Sequence, residues 1–137
     1  MTEPHTYRRL SMLRRLCLLS FIFSFLLPAV AFAVVSFDKT AFEKAVAAGG
    51  PVIVHFHADW CPTCKAQDPI VAQIMAEPKF KDVRLFVADF DTEKGLKKAL
   101  RVNVQSTFVV FKGGKEAARS TGQTAREAIE ATFAKAL

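Results

Sequence analysis

Seven consecutive positions, Val52 to Ala58, read VIVHFHA, and only His55 and His57 among them are polar. So short and apolar a run, rich in β-branched and aromatic side chains, predicts a buried strand central in a parallel sheet. Before it, SFDKTAFEKAVAAGG (36–50) sets Phe42, Ala45 and Val46 at helical spacing, offers Ser or Asp as a cap, and stops at Gly49 and Gly50. After it, KAQDPIVAQIMAE (65–77) continues as a helix that Pro69 should kink. VRLFVADFD (83–91) repeats the buried-strand pattern, and TEKGLKKAL (92–100) predicts a short helix with Lys97 and Lys98 on a solvated face. TFVVFKGGKEAARSTG (107–122) reads as a hairpin turning at Gly113 and Gly114. TAREAIEATFAKAL (124–137) closes as an amphipathic helix, with Ala128, Ile129, Thr132 and Phe133 near one side. The predicted order is helix, strand, helix, strand, helix, strand, strand, helix, an α/β arrangement without internal repeats.

The N-terminal third follows a different pattern. Arg8, Arg9, Arg14 and Arg15 precede Leu16 to Val35, a stretch without a charged residue, and the small residues of AFA (31–33) follow Pro28. Residues 1–33 therefore read as a signal peptide cleaved after Ala33, leaving one domain, 34–137. The alternative is an uncleaved anchor over residues 16–35, because about 20 apolar residues span a bilayer. Either reading puts the domain in the periplasm or an equivalent exported space, with membrane contact only through the N-terminal segment if it stays. The arginine pairs lack the rest of a folded-export signature, and RRL before Cys17 does not suit lipid attachment.

Charge changes the picture little. The net charge of +6 includes four Arg and one Glu from residues 1–33, which leaves +3 for the rest. No run of Lys and Arg interleaves with aromatic residues, so no nucleic-acid partner is expected.

Two of the three cysteines, Cys61 and Cys64, lie in HADWCPTCK (57–65). A structural zinc site needs four ligands and this motif supplies two, with His55 and His57 at strand spacing rather than in a knuckle. As a staple the pair would close a very short loop, contributing about 1.9 kcal/mol against about 3 for a 15-residue loop. A redox centre accounts for more of the pattern. A strand runs into Cys61, and Pro62 occupies the first helical position, so the first sulfur sits at a helix N-terminus where unpaired N–H groups favour the thiolate. Cys64 lies one turn deeper. Cys61 is thus expected to attack, from an exposed edge, and Cys64 to resolve. Lowering a thiol pKa from about 8.5 to about 7 raises the thiolate fraction about 16-fold at neutral pH.

With ADWCPTCK, Pro69 five residues after Cys64, a strand ending in Asp91, TFVVFKGG and Gly122 before the last helix, residues 36–137 resemble the thioredoxin family. The resemblance implies a thioredoxin fold, a central mixed β-sheet flanked by helices on both faces. It implies dithiol-disulfide exchange through Cys61 and Cys64, with no bound organic cofactor. Trp60, Pro62, Thr63, Ser106 and Thr107 become the residues shaping the site. Expected partners are exported protein thiols and disulfides and a membrane thiol-electron carrier. The expected direction is reduction, as in cytochrome c maturation or thiol repair; the alternative is a disulfide oxidase or isomerase.

Three departures from the family's pattern bear on mechanism. His55 stands where the family holds a buried aspartate, and Val87 where it holds a lysine, so His55 is the expected proton acceptor for Cys64. Pro62 and Thr63 between the cysteines suggest a less reducing pair. Ser106 replaces the proline of the loop facing the sulfurs, and a trans or rearranged loop is expected there. With that proline gone, metal or iron–sulfur binding by Cys61 and Cys64 is an alternative role for the pair.

Overall fold

The computed structural model describes residues 34–137; the signal or anchor expected in residues 1–33 and most of 16–35 lies outside them. Five strands form one mixed sheet: β1 (Val34–Ser36), β2 (Val52–His57), β3 (Arg84–Asp89), β4 (Thr107–Lys112) and β5 (Lys115–Thr121), in the order β1-β3-β2-β4-β5. β1 and β2 run parallel to β3, whereas β4 is antiparallel to β2 and to β5. Four helices join them: α1 (Lys39–Ala47), α2 (Pro62–Met75), α3 (Lys94–Leu100) and α4 (Arg126–Phe133).

All predicted elements are present, and β1 is additional. Its three residues are exposed, so no alternation marks them, yet they pair Val34 with Leu85 and Ser36 with Val87 at the sheet edge. Side-chain alternation then divides the core between two faces. Ile53, Leu85, Phe108 and Val110 meet Val71 and Ile74 of α2 and Ile129 and Phe133 of α4. Val54, Phe56, Phe86, Val109 and Phe111 meet Phe42 and Ala45 of α1, with Leu96 and Leu100 of α3 packed against them. The sheet is therefore covered on both sides.

Local chemistry sets the boundaries. Asp38 caps α1, its Oδ1 accepting the Ala41 N–H at 2.6 Å. Gly113 and Gly114 both adopt positive φ, 60° and 78°, which the tight β4–β5 turn requires. Pro69 sits inside α2, where it has no N–H to give the Lys65 carbonyl. Lys97, expected on a solvated face, lies over the Phe90 ring at 3.8 Å from its centroid.

This framework places the cysteines where β2 hands over to α2. It also places His55 on the sheet face covered by α2 and α4, with its ring stacked on Phe108 at 4.3 Å.

Candidate active site

Cys61 is the N-cap of α2, in extended conformation, and Pro62 follows at the first helical position. The cap accepts with sulfur rather than oxygen: the Cys64 N–H donates to Cys61 Sγ at 3.4 Å. Cys64, within the first turn, is fully buried, while Cys61 retains 3% of its exposure. The expected exposed edge is therefore not at Cys61 itself. Trp60, beside Cys61 in the motif, is 58% exposed, and its Nε1–H donates to Asp91 Oδ2 at 2.8 Å.

Ser106 closes the site from the opposite loop. Its Oγ lies 3.2 Å from Cys61 Sγ and 3.1 Å from Cys64 Sγ. One hydroxyl has one hydrogen, so it donates to one sulfur and accepts from the other. When Cys61 is the thiolate, the chain runs from Cys64 S–H to Ser106 Oγ, and from the Ser106 O–H to Cys61. The two thiols differ in the matching sense. Burial pushes Cys61 upward, but hydrogen bonds from Ser106 and from the Cys64 and Thr63 backbone outweigh it and lower the thiol to about 7. Burial raises Cys64, and the same Ser106 bond only partly opposes it. Both thiols are free.

The loop itself is rearranged. No cis peptide bond occurs among the described residues, and Ser106 takes a left-handed φ of 59°, uncommon for a residue with a side chain. Its N–H donates to the Phe56 carbonyl at 2.8 Å, and its own carbonyl accepts from Gly122 N–H at 3.0 Å. Thr107 is buried but turns its hydroxyl away from the sulfurs, donating to Val104 O at 2.8 Å and meeting Thr121 Oγ1 at 2.8 Å.

His55 is the residue whose setting departs furthest from expectation. Its register partner on β3 is Val87, as the family's pattern implied, so no cation faces it there. Its Nε2 meets Gln67 Oε1 at 3.0 Å, and no hydrogen bond joins it to Cys64 among the described residues. Burial lowers its pKa to about 4, only partly opposed by the Gln67 bond, so the ring is neutral at pH 7. A base of that strength, bonded elsewhere, is poorly matched to proton removal at neutral pH. His57 shares the face, its ring centroid 5.3 Å from that of His55, and reaches Asp68 at 3.3 Å.

Gln67 was not among the expected site residues. It is fully buried one turn after Cys64, and besides His55 it contacts Ser106 O at 3.3 Å and Gln123 O at 2.9 Å. Its only signal in the sequence is position: Cys64, Gln67, Val71 and Ile74 share the buried stripe of α2. No group of three or more His, Cys, Asp or Glu side chains among the described residues is placed to hold a metal ion.

Residues 33–135 match the thioredoxin family model. The chain belongs to the thioredoxin family. A thioredoxin of Aspergillus fumigatus is 32% identical over 81 residues, covering 59% of this chain and 73% of that one. A solved structure, Trxlp from Edwardsiella tarda EIB202, superposes with a TM-score of 0.70 at 38% identity, covering 72% of this chain and 95% of that one. A bifunctional thioredoxin reductase/thioredoxin of Mycobacterium leprae is 27% identical over 92 residues, which are 67% of this chain and 20% of that protein. This thioredoxin-family protein has the family's fold and is a thiol-disulfide oxidoreductase whose cysteine pair, Cys61 and Cys64, shares one hydroxyl.

Proposed function

We propose that this protein is an exported dithiol reductant of client protein disulfides. The Cys61 thiolate attacks one client sulfur, forming a Cys61–client disulfide and releasing the other client sulfur as a thiolate. Cys64 then attacks Cys61 Sγ as a thiolate, its proton ending on the client sulfur that departs. That breaks the mixed disulfide, releases the second client thiol and leaves Cys61 and Cys64 oxidised, so two electrons have passed to the client. Ser106 serves both steps: its O–H stabilises the Cys61 thiolate first, and its oxygen faces the Cys64 S–H until that proton leaves.

The observation carrying the reductive direction is the Cys61 thiol at about 7. In this chemistry a thiolate stabilised much further, near pKa 3.5, accompanies strong oxidants, because it stabilises the reduced pair; a value near 7 accompanies reductants. Export rests on the arginine-flanked apolar run before Val34. Once exported, the oxidised pair is re-reduced by a thiol carrier in the membrane. The Mycobacterium relative, named for a reductase joined to a thioredoxin, illustrates the other supply, a thioredoxin reductase as direct donor.

Equilibration of the pair with a glutathione buffer tests the direction. A potential near about −270 mV supports the reductant, and one near about −120 mV makes the protein an oxidase. Intact mass of the protein from its native host tests export: a chain beginning at Val34 supports cleavage, and retention of residues 1–33 in a soluble cytoplasmic fraction contradicts it.

A further inference from the structure

Gln67 is the one amide among the buried residues of α2, the others being Cys64, Val71, Ile74 and Met75. It is fully buried on the stripe that Cys64, Val71 and Ile74 present to the sheet. A buried amide is tolerated when its hydrogen-bonding groups are satisfied, and here each end is engaged. The orientation of the amide follows from its partners. Ser106 O and Gln123 O are carbonyl oxygens that can only accept, so the Gln67 NH2 group must face them, at 3.3 and 2.9 Å. Gln67 Oε1 then faces His55 Nε2 at 3.0 Å, and that nitrogen must carry the hydrogen. His55 is thereby fixed as the Nε2–H tautomer and acts as a donor.

The residue at the far end of this chain needs holding. Ser106 sits at φ 59°, a strained conformation for a residue with a side chain, which persists only when the surroundings impose it. Three bonds hold its backbone: its N–H to Phe56 O, Gly122 N–H to its carbonyl, and Gln67 Nε2–H to the same carbonyl. Of these, the Gln67 bond alone comes from α2, the helix that carries Cys64 and is capped by Cys61. It ties the serine loop to the element whose sulfurs the hydroxyl must reach.

We propose that Gln67 is a positioning residue for the dithiol: oriented by the His55 Nε2–H, its amide holds the Ser106 carbonyl so that the Ser106 hydroxyl stays between Cys61 and Cys64. His55 acts through Gln67 in the same chain. This rests on Cys61 being the attacking sulfur. The groups acting on that sulfur are Ser106, Cys64 and Thr63, with no charged side chain among them, so a change in its titration reports on the hydroxyl and its supports.

The test is a double-mutant cycle read by the pH dependence of Cys61 alkylation in the reduced full-length protein, using Gln67→Met, Ser106→Ala and both together. Ser106→Ala should raise the midpoint by about one pH unit, a roughly tenfold loss of thiolate below it, and Gln67→Met by about half a unit or more. In the Ser106→Ala background Gln67→Met should add nothing, because the hydroxyl it positions is gone. Equal increments in both backgrounds, or no shift from Gln67→Met alone, overturn the proposal. The wild-type protein decides the matter if Gln67→Met fails to fold. Imidazole 15N resonances should show His55 as Nε2–H from pH 5 to 8, and the Nδ1–H tautomer would overturn the assignment. Turnover of a protein disulfide by wild type is measured alongside. Its absence removes the attacking role of Cys61, whereas normal turnover with additive shifts removes only the role of Gln67.

Discussion

Folding keeps the His55 ring neutral at a pH where the unfolded chain protonates it, and this has a stability cost that can be calculated. The ordinary histidine value is 6.5 and the folded value is about 4, lowered chiefly by burial. Between those limits the unfolded state binds the proton and the folded state does not, so stability rises with pH across the window. The cost is absent above pH 6.5, where neither state binds the proton, and grows progressively as pH falls to 4. A shift of about 2.5 units corresponds to about 3 kcal/mol. His55→Phe removes this titration and leaves Gln67 Oε1 without its donor, a pH-independent cost of about 1–3 kcal/mol. Urea unfolding of both proteins, cysteines reduced, at pH 7, 6, 5 and 4 gives the difference directly, and carboxylates common to both largely cancel in it. Wild type should be the more stable at pH 7, with its advantage shrinking by about 3 kcal/mol by pH 4 and vanishing or reversing there. A gap constant within about 0.5 kcal/mol would refute the buried, neutral histidine.

Three further outcomes follow from the same geometry. In the reduced protein, alkylation of Cys61 should rise with a midpoint near pH 7, since its thiolate predominates above that value, while Cys64 should react only at higher pH; peptide mass spectrometry distinguishes them. Ser106→Pro should lower stability by about 3 kcal/mol in urea unfolding, because proline cannot adopt φ 59° or donate to Phe56 O, so the substitution does not simply restore the family's loop. Phe133→Ala should cost about 3–5 kcal/mol in the same assay, because the ring is fully buried and packs edge-on against Phe108 and Phe80.

The strands and helices that build the site were readable because each buries a face with its own period. Val54 and Phe56 alternate with Ile53 and His55 between the two sides of β2, and Phe42 and Ala45 mark the buried stripe of α1. β1 escaped because its three exposed residues have no alternation to read and two of them, Val34 and Val35, belong to the apolar run. The cysteine pair and its helix cap depend on residues adjacent in sequence, so motif and geometry agree. His55 could be placed on the core face beside His57, but the role expected for it, proton acceptor for Cys64, missed its bond to Gln67, because that partner lies on α2 twelve residues away. Gln67 resembles any polar helical residue until its place on the stripe with Cys64 and Val71 is noticed. The left-handed turn at Ser106 follows from tertiary bonds to Phe56, Gly122 and Gln67, none a sequence neighbour.

The division of labour between the sulfurs is tested most directly by trapping. Full-length Cys64→Ser and Cys61→Ser are expressed separately, thiols are quenched with acid, and disulfide-linked complexes are resolved without reductant. Cys61 is the helix cap whose thiol is lowered to about 7, and Cys64 is the buried thiol raised above its ordinary value. Cys64→Ser should therefore accumulate mixed disulfides with client proteins, and Cys61→Ser should yield almost none. Equal trapping by the two variants, or trapping by Cys61→Ser alone, would contradict the account.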